Sequence, residues 1–241
     1  MMSYPQGRVE EIEFYSKSLE STISVLLYKP ANYSPLYKYH TVIVQDGKDY
    51  FQLGRLPRIA DELLAEGKME NTLFFAIPYP DVKTREQWYH PDGSLKENYI
   101  RFIAHELTPY IDANYPTFQI GNGRMLMGDS LAGTASLMIA LQYPHTFGKV
   151  AVYSPYVNET VLSKVAEMSQ PELLSVYHVI GDQEDDFLAP SGVRKDFLHP
   201  NRDLRELMSR KGYQVFYEEF EGSHSWKYWQ PDLKRALKMM L

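Results

Sequence analysis

The stretch that most constrains this chain is residues 124–133, Arg-Met-Leu-Met-Gly-Asp-Ser-Leu-Ala-Gly, an apolar run that meets a serine flanked by small residues. An apolar run of this length suits a strand buried on both faces, and small residues let a helix leave the end of that strand at close range. A serine at such a turn is lifted clear of the backbone. There a base can take its proton and neighbouring N–H groups can receive the negative charge of a tetrahedral intermediate, two forms of help that a weakly nucleophilic hydroxyl needs. The string departs from the pattern G-x-S-x-G in one place, because Ala132 stands where the second glycine is expected and Gly133 follows it. The extra methyl fits a close strand–helix crossing if φ at Ala132 is negative. Taken alone, the same string also describes a serine that caps a helix after a strand.

The rest of the chain supplies a sheet for that strand. Residues 9–15 and 22–28 are rich in β-formers around a polar turn and predict an antiparallel hairpin. Short apolar runs at 41–45, 73–77, 149–153 and 173–180 predict further strands, and 213–220 alternates as a half-buried strand does. Helical spacing covers 58–66, 94–115, 131–142, 158–168, 201–210 and 230–241; Pro109 is expected to kink or restart the second of these, and Asn201 to cap the fifth. Residues 78–93, punctuated by Pro78, Pro80 and Pro91, predict the longest irregular loop. Strands alternating with helices after a hairpin imply an α/β fold, a mostly parallel central sheet with helices on both faces. At 241 residues one large domain over 1–241 is expected.

Ligands of such sheets bind at the carboxyl ends of the strands. Four polar strings fall there: 46–50, 129–130, 181–186 and 222–224. Ser130, then Glu184, Asp185 and Asp186, then His224 stand in the chain order of a serine–acid–histidine triad. His224 would accept the serine proton and return it to the leaving group, while a carboxylate holds its other nitrogen. Any of the three acids could reach, and an acidic run also reads as a solvated turn. Among seven histidines, His224 combines the end of the last strand with a flexible Gly222-Ser223 approach. With no HExxH pair and no calcium-loop spacing, neither metal nor cofactor is expected.

The absence of cysteine excludes disulfides, thiol catalysis and cysteine-ligated zinc. A net charge of -6 argues against nucleic acid or an anionic membrane surface as partner. No apolar run approaches the roughly 20 residues that span a bilayer, and a polar start makes a cytoplasmic protein the expectation. No feature specifies an oligomeric state. Tyr50, Phe51, Trp88, Tyr89, Tyr156, Trp226 and Trp229 lie in or near strand-end segments, so an aromatic-lined pocket is expected. Arg85, Trp88, Tyr89 and Trp226 are its substrate-binding candidates, with Arg85, Lys48 and Arg194 able to meet an anionic part of a substrate. Core packing and solvated surface charge are the alternative readings. The span from 154 to 173 is too short for a lid domain, so the site is expected to be open.

Several strings occur together and in order: Tyr28-Lys29-Pro30-Ala31-Asn32-Tyr33, Gln45-Asp46-Gly47, residues 106–115, the 128–133 turn, Tyr143-Pro144 with Phe147-Gly148, Ser154-Pro155, and Gly222-Ser223-His224-Ser225-Trp226. With them the chain resembles the putative-esterase family of α/β-hydrolases, which includes esterase D, feruloyl esterases and enterochelin-type siderophore esterases. The resemblance covers nearly the whole chain. It implies an α/β-hydrolase fold without a large lid and cofactor-independent ester hydrolysis on a small-molecule substrate. It assigns the nucleophile to Ser130, the base to His224 and the acid to Glu184, with Asp185 as the alternative. The oxyanion donors would be the backbone N–H groups of Leu131 and Lys48. A small or aromatic carboxylic ester, a siderophore trilactone and an S-formylglutathione-type thioester all fall within it. A binding protein that keeps the hydrolase fold is the non-enzymatic alternative, to which Ala132 lends support.

Overall fold

The computed structural model describes residues 4–189 and 192–241. In chain order its first half runs β1 (Arg8–Ser16), β2 (Ser21–Lys29), β3 (His40–Gln45), α1 (Gly47–Gln52), α2 (Leu56–Ala65), β4 (Thr72–Ile77), α3 (Val82–Tyr89), α4 (Lys96–Arg101), a π-helical stretch (Phe102–Leu107) and α5 (Thr108–Asn114). The second half runs β5 (Arg124–Asp129), α6 (Ser130–Gln142), β6 (Lys149–Tyr153), α7 (Glu159–Glu167), β7 (Ser175–Gly181), β8 (Phe187–Leu188), β9 (Arg194–Lys195), α8 (Leu198–Lys211), β10 (Gln214–Phe220) and α9 (Trp226–Met240).

Eight strands form one sheet in the order β1-β2-β4-β3-β5-β6-β7-β10. The expected N-terminal hairpin joins antiparallel to β4, and every later pairing in this sheet is parallel, while β8 and β9 form a separate antiparallel pair. The central runs are apolar at consecutive positions because helices cover both faces. Ile43, Leu126, Val150 and Val176 enter one core with α3, α4, α6, α7 and α8. Val42, Val44, Met125, Met127 and Ala151 enter the other, beneath α1, α2 and α9. Among the described residues no helix is long and apolar enough to cross a membrane.

Three local expectations are corrected and one, at Pro109, is met. The segment 78–93 is not irregular: α3 occupies its middle, started by Asp81, whose carboxylate accepts the Thr84 N–H at 2.9 Å. The helical region before Tyr115 restarts at Pro109 as expected: α5 begins at Thr108 with Pro109 in its first turn, after a wider π turn at 102–107 that ends with the Thr108 N–H on the Ile103 carbonyl. A proline ring and its missing N–H are accommodated where the helical repeat is already loosened. Asn201 does not cap α8. It is buried inside that helix, its Oδ1 accepting from His178 Nε2 at 2.6 Å and its Nδ2 donating to the Pro155 carbonyl at 2.8 Å. Finally, α9 begins at Trp226 and carries Pro231 within it.

Candidate active site

The strand ends converge on one edge of the sheet. Asp129 pairs with Tyr153, Tyr153 with Val179, and Gly181 with Phe220, so the chain leaves β5, β6, β7 and β10 at neighbouring points. Ser130 is the first residue of α6 and has φ +51°, a conformation that costs a non-glycine residue about 1–3 kcal/mol. What allows the turn is Gly128, where a Cβ would overlap the Ala132 carbonyl. Ala132 itself is buried and does not share the positive φ, so its methyl is accommodated in the core. The glycine requirement of this turn lies on the strand side.

Ser154, one residue past β6, also has positive φ, +46°. Its hydroxyl accepts from Trp229 Nε1 at 3.0 Å and donates to Glu184 Oε1 at 2.7 Å. The same carboxylate oxygen accepts the Gly181 N–H at 2.9 Å, and Oε2 lies 2.6 Å from His224 Nδ1. Glu184 is wholly buried, and these three donors satisfy a group that would otherwise be costly to hide. His224 packs against the adjoining rings of Phe197 and Phe187, with centroids at 4.3 and 4.6 Å, and meets Trp229 edge-on at 4.8 Å. The imidazole is therefore held by these rings and by Glu184 on Nδ1, and Nε2 is the ring nitrogen that the carboxylate does not engage.

Of the three candidate acids, the structure brings Glu184 to His224. Asp185 is exposed, and Asp186 pairs with Arg194 across the β8–β9 ladder. Ser130 Oγ and His224 Nε2 are not hydrogen-bonded to each other in this structure; the Ser130 carbonyl accepts the Tyr156 N–H at 3.3 Å, and the Tyr156 ring packs against Phe197, which stands against His224. Contacts of this kind commonly tighten only with substrate present.

The remaining candidates divide. Lys48 is exposed in the first turn of α1, next to β5 through the pairing of Val44 with Met127. The Asp46 carbonyl accepts the Asp49 and Tyr50 N–H groups, and the N–H of Lys48, like that of Leu131 in the first turn of α6, has no partner within its helix. Trp88 and Tyr89 do not line an open pocket: they are 3% and 1% exposed and pack with Tyr99 in the core, Trp88 stacking on it at 5.0 Å. Tyr50 and Trp229 are buried as well, while half-buried Trp226 stands edge-on to Tyr50. Flat, large side chains beside a strand end fill the crevice between α3 and α4, which the loop expectation for 78–93 concealed. Arg85 turns inward to Asp46, with Nε 2.9 Å from both carboxylate oxygens and Nη2 2.5 Å from Oδ2. Burial pushes the Asp46 carboxyl pKa up against the lowering effect of this guanidinium. Asp129, also buried, is raised well above the ordinary range by burial and then by Asp46, and its Oδ1 has no hydrogen-bond partner.

Sequence reasoning missed the supports of the Glu184–His224 pair: Ser154, Trp229 as a donor, and the rings of Phe187 and Phe197. Ser154 had one signal, since it ends an apolar strand as Ser130 does. Among the described residues no group of three or more His, Asp or Glu side chains is placed to hold a metal ion.

Residues 16–240 match the family model described as "Putative esterase". The chain is 48% identical over 240 residues, all of both chains, to the uncharacterized protein YjcH of Bacillus subtilis (strain 168). Among solved structures it is similar to a ferulic acid esterase at 17% identity, with TM-score 0.81 and 98% of each chain covered. It is also similar to the enterobactin esterase FES of Shigella flexneri at 18% identity, with TM-score 0.83, covering 98% of this chain and 60% of that one. These likenesses establish the α/β-hydrolase-type fold.

Proposed function

The chain belongs to this esterase family, and from that premise we propose that it is a serine carboxylesterase acting through an acyl-enzyme on Ser130, with His224 as general base and Glu184 as the acid that orients it. The observation that carries the reading is the 2.6 Å contact between His224 Nδ1 and Glu184 Oε2, made by a wholly buried carboxylate at the end of β7. A buried acid on Nδ1 has a specific use. It holds the tautomer whose Nε2 accepts a proton and stabilises the imidazolium that results.

In the proposed reaction Ser130 Oγ attacks the ester carbonyl as His224 Nε2 takes its proton. The N–H groups of Lys48 and Leu131 receive the oxyanion, each such donor contributing about 3 kcal/mol to the transition state. Collapse expels the alcohol, which takes the proton from His224. Water then enters, His224 accepts its proton, and a second tetrahedral intermediate releases the carboxylic acid and restores Ser130. We read the chain as one hydrolase domain without a large lid, on a small or aromatic ester. Likeness to an enterobactin esterase supports a siderophore trilactone as the second substrate to try.

The test is hydrolysis of p-nitrophenyl esters from acetate to octanoate, methyl ferulate and a catechol trilactone by the wild type, Ser130→Ala and His224→Ala, with fluorophosphonate labelling in parallel. Turnover and labelling by the wild type, with kcat reduced about 10⁴-fold or more in both variants, is the expected result. A wild type that neither hydrolyses nor labels would make the protein a binder on a hydrolase fold.

A further inference from the structure

We propose that Arg85 is a positioning residue for the oxyanion-binding turn at 46–48 and acts on it through the Asp46 carboxylate. The inference rests on the reading of the Lys48 N–H as an oxyanion donor and deepens it. Asp46 has φ +54°, a conformation uncommon for a residue with a side chain, although aspartate tolerates it better than most. Its neighbour Gly47 lies so close to the backbone of Ala76 and Ile77 that a Cβ there would overlap both residues. The turn is therefore pinned against β4 at Gly47, and its rotation about that point decides where the Lys48 N–H aims. Three contacts set the rotation. The Asp46 carbonyl is held by Asp49 and Tyr50, its N–H approaches the Tyr89 hydroxyl at 3.4 Å, and its carboxylate is gripped in two directions by Arg85.

Arg85 can act as a fixed clamp because it is itself held. It stands in α3 over the rings of Tyr79 and Tyr89, at 5.5 and 5.7 Å, and only 18% of its side chain is exposed. A guanidinium fork fixes both the charge and the plane of its partner, whereas an ammonium fixes charge alone. The charge of Arg85 also opposes the rise that burial and Asp46 impose on the carboxyl of Asp129, the residue before Ser130. This side chain thus braces the turn after β3 through its contacts with Asp46. Its Nε and Nη2 are committed to Asp46, so its loss should damage the transition state more than substrate binding.

The experiment compares the wild type with Arg85→Lys, Arg85→Gln, Asp46→Asn and the Arg85→Gln/Asp46→Asn double variant. Steady-state kinetics on p-nitrophenyl acetate are read beside the affinity for phenylboronic acid, whose serine adduct places an oxygen in the oxyanion hole, and beside thermal midpoints that report folding. We expect kcat to fall about 100-fold in each single variant, Lys included, with KM changed less than about threefold and boronate affinity weakened in parallel with kcat. The double variant should fall no further than the worse single one, since both remove one link. Folded single variants that keep kcat, lose only through KM, or bind boronate as the wild type does would overturn the inference, as would additive losses in the double variant. Asp46→Asn keeps the size of the side chain, so it decides the matter should the Arg85 variants fail to fold. A wild type inert to esters and to fluorophosphonate would instead overturn the esterase reading, and this one with it.

Discussion

At the scale of single residues, three consecutive acids occupy very different environments. Glu184 is wholly buried with three donors, Asp185 is exposed, and Asp186 is tied to Arg194 at the surface. The physical difference is desolvation, which the local sequence does not encode because all three side chains are acidic. Glu184→Gln keeps the shape but removes the charge that stabilises an imidazolium, so kcat on p-nitrophenyl acetate should fall about 10³–10⁴-fold. Asp185→Asn and Asp186→Asn, assayed beside it, should remain within about twofold, as surface carboxylates do. Ser154 acts one step further out. Ser154→Ala strands the Trp229 N–H and removes a donor to Glu184, an expected loss of about 1–3 kcal/mol in urea unfolding. Ser130 and His224 were readable as candidates because chain order and strand ends expose them. Trp88 and Tyr89 were misread because an aromatic residue near a strand end looks alike whether it lines a pocket or closes the core.

At the scale of elements, the turn from β5 into α6 shows which glycine the geometry requires. A Cβ at Gly128 would overlap the Ala132 carbonyl, while at 132 the methyl is already present and buried. Gly128→Ala should therefore force strand and helix apart and shift Ser130, and a displacement of about 1 Å costs about 100-fold in kcat. Ala132→Gly should leave kcat within about threefold, because this residue supplies neither proton nor donor, while stability falls by about 1 kcal/mol from helix propensity. Kinetics and urea midpoints on the two variants check this contrast; equal losses of activity would contradict it. The same reasoning explains which elements were legible. The runs 41–45, 73–77 and 149–153 stand out because both faces are buried, and the structure extends the first two by one residue and keeps the third as read. Helix α3 escaped notice because its sequence, VKTREQWY, is mostly polar and lies between prolines. The restart at Pro109 was legible because a proline suits the first turn of a helix, whereas the π turn before it was not, since no residue type specifies one.

At the scale of the whole molecule, alternation of strands and helices predicted a parallel sheet, but not that β3 would lie between β4 and β5, which brings the 46–48 turn beside Ser130. Strand order comes from how the two cores close, a property of all the runs together. One buried group reports on that closure. His178 sits inside β7 between Val152 of β6 and Tyr217 of β10, wholly buried, with Nε2 bonded to Asn201. Burial lowers its pKa from 6.5 to about 4, with the Asn201 bond opposing. The folded protein thus holds His178 neutral at pH values where the unfolded chain takes up a proton. Its contribution to stability is fully present above pH 6.5 and declines as pH falls toward 4, because the unfolded state then binds more protons. Between pH 7 and pH 5 this amounts to about 2 kcal/mol. In His178→Gln, which retains a partner for Asn201, that dependence should vanish, while the contributions of the carboxylates remain common to both proteins and cancel. Urea unfolding of the two proteins at pH 7 and pH 5 should show the wild type losing about 2 kcal/mol more than the variant. Parallel losses would mean that His178 is protonated in the folded sheet, and that this core admits water where the packing excludes it.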